Sequence, residues 1–180
     1  MKDILIVIDM QDGFVIDYKA ERLVGKIEAL LDKRIFDAVI ATKFINKSNS
    51  MFRKLLDWHA LETQEDIALS GRIAYLCDRE YEKDGYGIPP DGSFEALLCG
   101  LNDNDMPSRV FLCGLDTDAC VLAMAMDLFE RGVRPIVLAD YCVSESGDEY
   151  HEAGLKCMES TIGARQIYRG EISSKADLDI

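Results

Sequence analysis

Short, almost continuous apolar runs alternate along this chain with stretches in which apolar residues recur every three or four positions. DILIVID (3–9), FDAVIATKF (36–44) and RVFLCGL (109–115) are runs of the kind made by strands buried on both faces. PIVLAD (135–140) predicts a further strand, with Pro135 at its first position, where a missing N–H is tolerated. RQIY (165–168) predicts a last short one. Val24, Ile27, Leu30 and Leu31 carry helical spacing within 19–33. Phe52, Leu55, Leu56 and His59 share one helical face over 51–62, with Ser50 or Asn49 available as the cap. Helices are also predicted over 93–102, over 118–131 up to a C-terminal cap at Gly132, and over 148–161 ending near Gly163. The stretch 64–92 is the least regular and predicts a short strand near 71–77, then the loop EKDGYGIPPDG. The final ten residues read as frayed.

Strand and helix alternate throughout, which predicts βαβ units: an α/β fold of three layers, α/β/α, around a Rossmann-like, mostly parallel sheet. A chain of 180 residues fits a single domain over 1–180 with one sizeable core. The formal net charge of −13 argues against nucleic acid and anionic membrane surfaces as partners, since both are polyanions. No apolar run approaches the ~20 residues of a membrane span, and Met1-Lys2-Asp3 leads straight into ILIVI with no signal-peptide pattern. The expected compartment is the cytoplasm, where Cys77, Cys99, Cys113, Cys120, Cys142 and Cys157 stay reduced. No C-x-x-C pair suggests a redox dithiol or a zinc ribbon.

Sites in parallel sheets lie beyond the carboxyl ends of the strands, so the residues just after each strand are the candidates. Cys120 follows the 109–115 strand and opens the next helical pattern. A helix N-terminus presents unpaired N–H groups and positive potential, both of which favour a thiolate. Against this stands the common fate of free cysteine, a small buried hydrophobe. Asp9 follows the first strand, where it is either a general base or a turn aspartate, with Gln11 and Asp12 beside it to hold the loop. Lys83, among Glu80, Glu82 and Asp84, is either a surface charge or a cation beside a thiolate. Together the three would make a nucleophilic hydrolase with a backbone oxyanion hole.

ILIVIDMQDGF, EKDGYG and VFLCGLDTDACVLAMAMDLFERGVRPIVLADYCVS resemble, in order, three blocks of the cysteine hydrolase superfamily. That superfamily includes nicotinamidases, N-carbamoylsarcosine amidases and isochorismatases. The resemblance implies the isochorismatase-like hydrolase fold and maps catalytic roles onto Asp9, Lys83 and Cys120. It also implies a cis peptide joining Leu115 to Asp116, an oxyanion hole of the Asp116 and Cys120 N–H groups, and a substrate pocket lined by Phe14 and Tyr86. The family often forms dimers or tetramers, so a homo-oligomer is implied.

The chain departs from that pattern at several places. Asp116 stands where many members carry a small apolar residue, and a carboxylate there could repel anionic substrates. GIPP follows Tyr86 in place of the usual small residue and phenylalanine. The D-x-H block of metal-dependent nicotinamidases is missing after the second strand, where TKFINKSNS stands. Asp57-Trp58-His59 falls inside the predicted helix, His59 reads as a packing residue and His151 lacks a visible partner, so no metal is expected. No cofactor is expected either: Gly85-x-Gly87 lacks the third glycine and strand-to-helix context of a phosphate loop and reads as a flexible turn.

The expectation is therefore a cysteine hydrolase acting on a C–N bond of a small amide, carbamoyl or ureide substrate through a thioester. Isochorismatase-type cleavage of a vinyl ether is one alternative. A non-catalytic binding protein is another, and a thiol redox protein using Cys113 with Cys120 a third.

Overall fold

The structure, a computed structural model, describes residues 2–180. Six strands form one all-parallel sheet: β1 (Ile4–Ile8), β2 (Ala38–Phe44), β3 (Arg79–Lys83), β4 (Arg109–Gly114), β5 (Arg134–Cys142) and β6 (Ile167–Tyr168). Their order across the sheet is β3-β2-β1-β4-β5-β6. The crossovers carry α1 (Tyr18–Leu31), α2 (Met51–Leu56), α3 (Gln64–Ile67), α4 (Gly71–Ala74), α5 (Ser93–Leu101), α6 (Leu122–Glu130) and α7 (Asp148–Met158). All five residues of β1 are fully buried. Successive strand residues face opposite sides, so both faces of the sheet are covered, as the run ILIVI predicts. This is the expected three-layer α/β/α arrangement. α1 begins at Asp17, whose Oδ1 accepts from Ala20 N at 2.8 Å, and it buries Leu23, Val24, Ile27, Leu30 and Leu31.

Several boundaries differ from the sequence pattern, each for a local reason. The strand expected near 71–77 is the short helix α4, and Ile73 and Leu76 are buried at helical spacing. The strand itself is REYEK at 79–83, an edge strand that is largely exposed and therefore lacks the apolar signature of its neighbours. The helix expected over 51–62 stops at Leu56. Asp57 takes the left-handed conformation (φ 51°), and the Asn46 amide donates to the carbonyls of Trp58 and Ala60, each at 2.9 Å. Those carbonyls would serve the ladder of a longer helix. Leu55 and Leu56 consequently stand exposed, and His59 with them. The C-terminal segment is not frayed. A capping box between Ser174 and Asp177 starts a 3₁₀ turn over Lys175–Leu178, and Ile172 and Leu178 are fully buried.

One glycine determines how β1 and β4 end. Gly114 pairs with Ile8, has φ +119°, and a Cβ there would collide with the Ile8 carbonyl. Leu115 N donates to that same carbonyl at 3.1 Å. The two strand ends are thus pressed together, and the loops that leave them emerge side by side. Gly114→Ala is expected to lower stability by about 3 kcal/mol, from backbone strain and overpacking. Urea unfolding measures this, and a loss below about 1 kcal/mol would contradict the role given to Gly114.

Candidate active site

The sheet order reverses direction between β1 and β4, the place where open parallel sheets leave a crevice at their carboxyl ends. Asp9 follows β1 directly, with φ 53° and no exposed surface. Its Oδ1 accepts from Thr42 Oγ1 at 2.6 Å, and its own N–H donates back to Thr42 Oγ1 at 3.2 Å. Thr42 is a fully buried polar residue in β2, and this contact explains why. Lys83 is the last residue of β3 and reaches across the end of β2, with its Nζ 5.4 Å from the Phe44 ring centroid. Nζ lies 2.7 Å from Asp9 Oδ2, and both side chains are completely buried. It also donates to the carbonyls of Gly85 (3.0 Å) and Tyr86 (3.3 Å) and to Cys120 Sγ (3.5 Å). The structure therefore brings Asp9, Lys83 and Cys120 together. Asp9 Oδ2 meets the lysine without the alignment of a hydrogen bond, so this oxygen keeps acceptor capacity next to the thiol.

Cys120 sits inside a π turn, Thr117–Val121, that feeds α6. Burial pushes its thiol well above the ordinary value, the Asp9 charge pushes the same way, and Lys83 opposes without prevailing. Burial and the nearby acid thus oppose the thiolate that a helix N-terminus favours. Burial also works against the Lys83 charge, but Asp9 and Cys120 outweigh it and raise the ammonium above its usual range. At rest the site holds a neutral thiol above a buried ion pair.

The Cys120 loop is held from several sides. The peptide between Leu115 and Asp116 is cis. The Asp116 carbonyl accepts from Ala119 N (3.1 Å) and Val121 N (3.0 Å), and Thr117 N donates to Val143 O (2.9 Å). Thr117 Oγ1 pairs with His151 Nδ1 at 2.7 Å, which gives His151 the partner the sequence hid. Gly154 of α7 lies so close that a Cβ there would stand 2.8 Å from Asp118 Cα. Gln11 holds the neighbouring loop. Its amide donates to the carbonyls of Phe44 and Ile67, both at 3.0 Å, and accepts from Phe44 N at 2.7 Å. The Asp12 side chain is exposed, and its backbone N–H donates to Ala68 O at 2.8 Å. The Gly85-x-Gly87 turn offers two carbonyls to Lys83, and next to it Ile88 N donates to Asp127 Oδ2 of α6 at 2.6 Å.

A pocket of about 420 Å³ opens over Cys120. Phe14 and Tyr86 line it, as the resemblance implies, and so do Phe44, Phe52 and Trp58. These rings touch one another: Phe14 stacks on Trp58 at 5.9 Å, and Phe52 meets Tyr86 edge-on at 4.9 Å. Asp116, Asp118 and Glu145 belong to the same lining. Trp58 and Glu145 were not singled out from the sequence. Trp58 was hidden by the helix expected there, whereas Glu145 lies just beyond β5, where strand-end logic could have found it. Among the described residues no group of three or more His, Cys, Asp or Glu is arranged to hold a metal ion. His59 is not a packing residue but an exposed one, close to Asp57 (3.2 Å) and Glu62 (3.4 Å).

Burial raises the Asp116 carboxyl to about 6, although the Glu145 N–H it accepts at 2.7 Å works the other way. Burial of its carboxyl and the facing Asp116 raise Glu145 to about 7, even though the residue as a whole is exposed. The folded chain therefore binds more protons here than the unfolded chain between about pH 4 and 7. Stability from these groups is complete below the unfolded values and is lost as pH rises through the folded ones. Urea midpoints should fall between about pH 5 and 8 by the equivalent of roughly 2 kcal/mol, screening at Glu145 included. Glu145→Gln should flatten the profile, and a midpoint that rises over this window would contradict the assignment.

The isochorismatase domain model matches residues 3–167. The structure superposes on a nicotinamidase from Bacillus subtilis with a TM-score of 0.76 at 23% identity, covering 91% of this chain and 98% of the other. It superposes on N-carbamoylsarcosine amidase from Thermoplasma acidophilum with a TM-score of 0.74 at 22% identity, covering 97% and 100%. At these identities the likeness is one of fold. Isochorismatase domain-containing protein 2A of Mus musculus is 41% identical over 51 residues, 28% of this chain and 25% of that protein. Isochorismatase domain-containing protein 2 of Bos taurus is 49% identical over 37 residues, 21% and 18%. The aligned segments thus span a quarter or less of those relatives' length. With the domain match running nearly end to end over an all-parallel sheet of this order, the chain belongs to the isochorismatase-like hydrolase family.

Proposed function

We propose that the protein is a cysteine hydrolase that cleaves a C–N bond of a small amide, carbamoyl or ureide substrate through a thioester on Cys120. The observation that carries this reading is the buried contact of Asp9, Lys83 and Cys120 at the floor of an aromatic pocket. The two structural relatives named above are a nicotinamidase and an amidase, names that denote the same bond class.

In the first step Asp9 takes the Cys120 proton as sulfur attacks the carbonyl carbon. Transfer during attack suits a thiol that burial keeps protonated at rest. The resulting oxyanion is stabilised by the N–H groups of Asp116 and Cys120, next to the cis peptide. Asp9 then gives its proton to the departing nitrogen, the C–N bond breaks, and a thioester and an amine or ammonia remain. Water attacks the thioester and Asp9 accepts its proton. The thioester bond breaks and the proton returns to sulfur. Lys83 keeps Asp9 oriented and offsets the negative charge that moves between Asp9 and sulfur. Phe14 and Tyr86 hold the substrate. A dicarboxylate vinyl ether suits this pocket poorly, since its lining includes three acids and no lysine, arginine or histidine.

Ammonia release from a panel of small amides, carbamoyl compounds and ureides tests the reading. Cys120→Ala should abolish turnover, and Asp9→Asn should lower kcat by about 10²–10⁴-fold. Ammonia release that survives Cys120→Ala would remove the thioester from the mechanism. Lys83→Met strands a buried carboxylate and should cost about 3–5 kcal/mol of stability as well as activity. Unchanged unfolding of that variant would argue that the pair is not buried as described.

A further inference from the structure

We propose that the pocket over Cys120 selects a small amide that carries a cationic group, an ammonium, guanidinium or alkylated ring nitrogen, in preference to neutral or carboxylate-bearing ones. The proposal deepens the cysteine-hydrolase reading and rests on it for the word amide; the preference for positive charge rests on the pocket alone. One side of the cavity is a set of touching aromatic rings, with Trp58 between Phe14 and Phe44 and with Phe52 against Tyr86. Ring faces attract cations within about 6 Å, and a dry, partly enclosed site strengthens the attraction. Asp116, Asp118 and Glu145 line the same cavity. Lys83, beside Cys120, is already engaged with Asp9.

Asp118 also lacks a donor within the protein: its Oδ1 is buried, and among the described residues no hydrogen-bond donor reaches it. A buried acceptor left unpaired is costly. Burial first, and the neighbouring acids second, hold the pKa of Asp116 and Glu145 above the usual carboxylate range. A carboxylate-bearing ligand would meet repulsion from three acids with no cation in the lining.

The test uses thiol chemistry that needs no hydrolase activity. Three methanethiosulfonates share one warhead: 2-(trimethylammonio)ethyl, its uncharged isostere 3,3-dimethylbutyl, and 2-sulfonatoethyl. In each case sulfur of the cysteine forms an S–S bond to the reagent, the S–SO₂ bond breaks and methanesulfinate leaves, with the thiol proton passing to solvent. Site-resolved mass spectrometry reports the rates at Cys120 and at exposed Cys157 in the same molecule, so Cys157 corrects for the overall acidity of the protein. Relative to Cys157, the cation should modify Cys120 about tenfold or more faster than its isostere, and the sulfonate slower still. Asp118→Asn with Glu145→Gln should shrink this ratio severalfold, with near-ultraviolet circular dichroism and the Cys157 rates reporting whether the fold is kept. Equal charge preference at the two thiols in the wild type would overturn the proposal, as would a ratio unmoved in a folded double variant. Turnover of betaine amide and of 3,3-dimethylbutanamide separates the two claims. Hydrolysis of both at equal kcat/KM would overturn the cationic preference for substrate. If thiol selectivity persists while the whole amide panel stays silent, the hydrolase reading fails and the charge assignment stands.

Discussion

Everything at this site depends on one ion pair kept away from water. Asp9 and Lys83 meet at 2.7 Å with neither side chain exposed. Such a pair gains little net stability, because desolvating two charges costs about as much as their attraction returns. Its value lies in what it does to a neighbour. Cys120 Sγ is 3.5 Å from the lysine nitrogen, so the thiol feels a cation and an anion at once inside a dry cavity. Burial and the anion prevail, and sulfur keeps its proton. An inert thiol with a carboxylate oxygen poised beside it is guarded against stray oxidation and can still be activated when a carbonyl arrives.

The fold exists to make that pair possible. Its members come from β1 and β3, strands separated by β2, and only a long side chain can reach across. Phe44 at the end of β2 supplies the ring over which the lysine passes, and Thr42 fixes the acid from the same strand. Gly114 lets β4 close against β1, which places the Cys120 loop beside Asp9. α7 then seals that loop from behind through Gly154 and His151. The same strand ends floor a pocket lined by both aromatic rings and acids.

The layers and the parallel sheet were legible in the sequence, because buried central strands announce themselves as apolar runs; strand ends marked Asp9 and Cys120 as candidates, whereas Lys83 joined them through the family resemblance. The edge strand at 79–83 was not, since half its surface faces water and its residues are charged. The helix after Ser50 was predicted too long because periodicity cannot see Asn46 taking the carbonyls of Trp58 and Ala60 from a distance. Trp58, a main wall of the pocket, was lost with it. The influences that oppose a Cys120 thiolate were hidden for a related reason: helix-end potential is a local property of the chain, whereas burial beside Asp9 arises only when distant segments meet.

The most direct measurement is the ultraviolet thiolate absorbance of the protein across pH, taken as the difference from Cys120→Ala and repeated in Asp9→Asn. The account predicts no Cys120 thiolate near neutral pH in the native protein. It also predicts that the titration moves to lower pH once the Asp9 charge is gone and Lys83 faces sulfur alone. A thiolate already present at neutral pH in the native protein, or a titration that Asp9→Asn leaves in place, would contradict it.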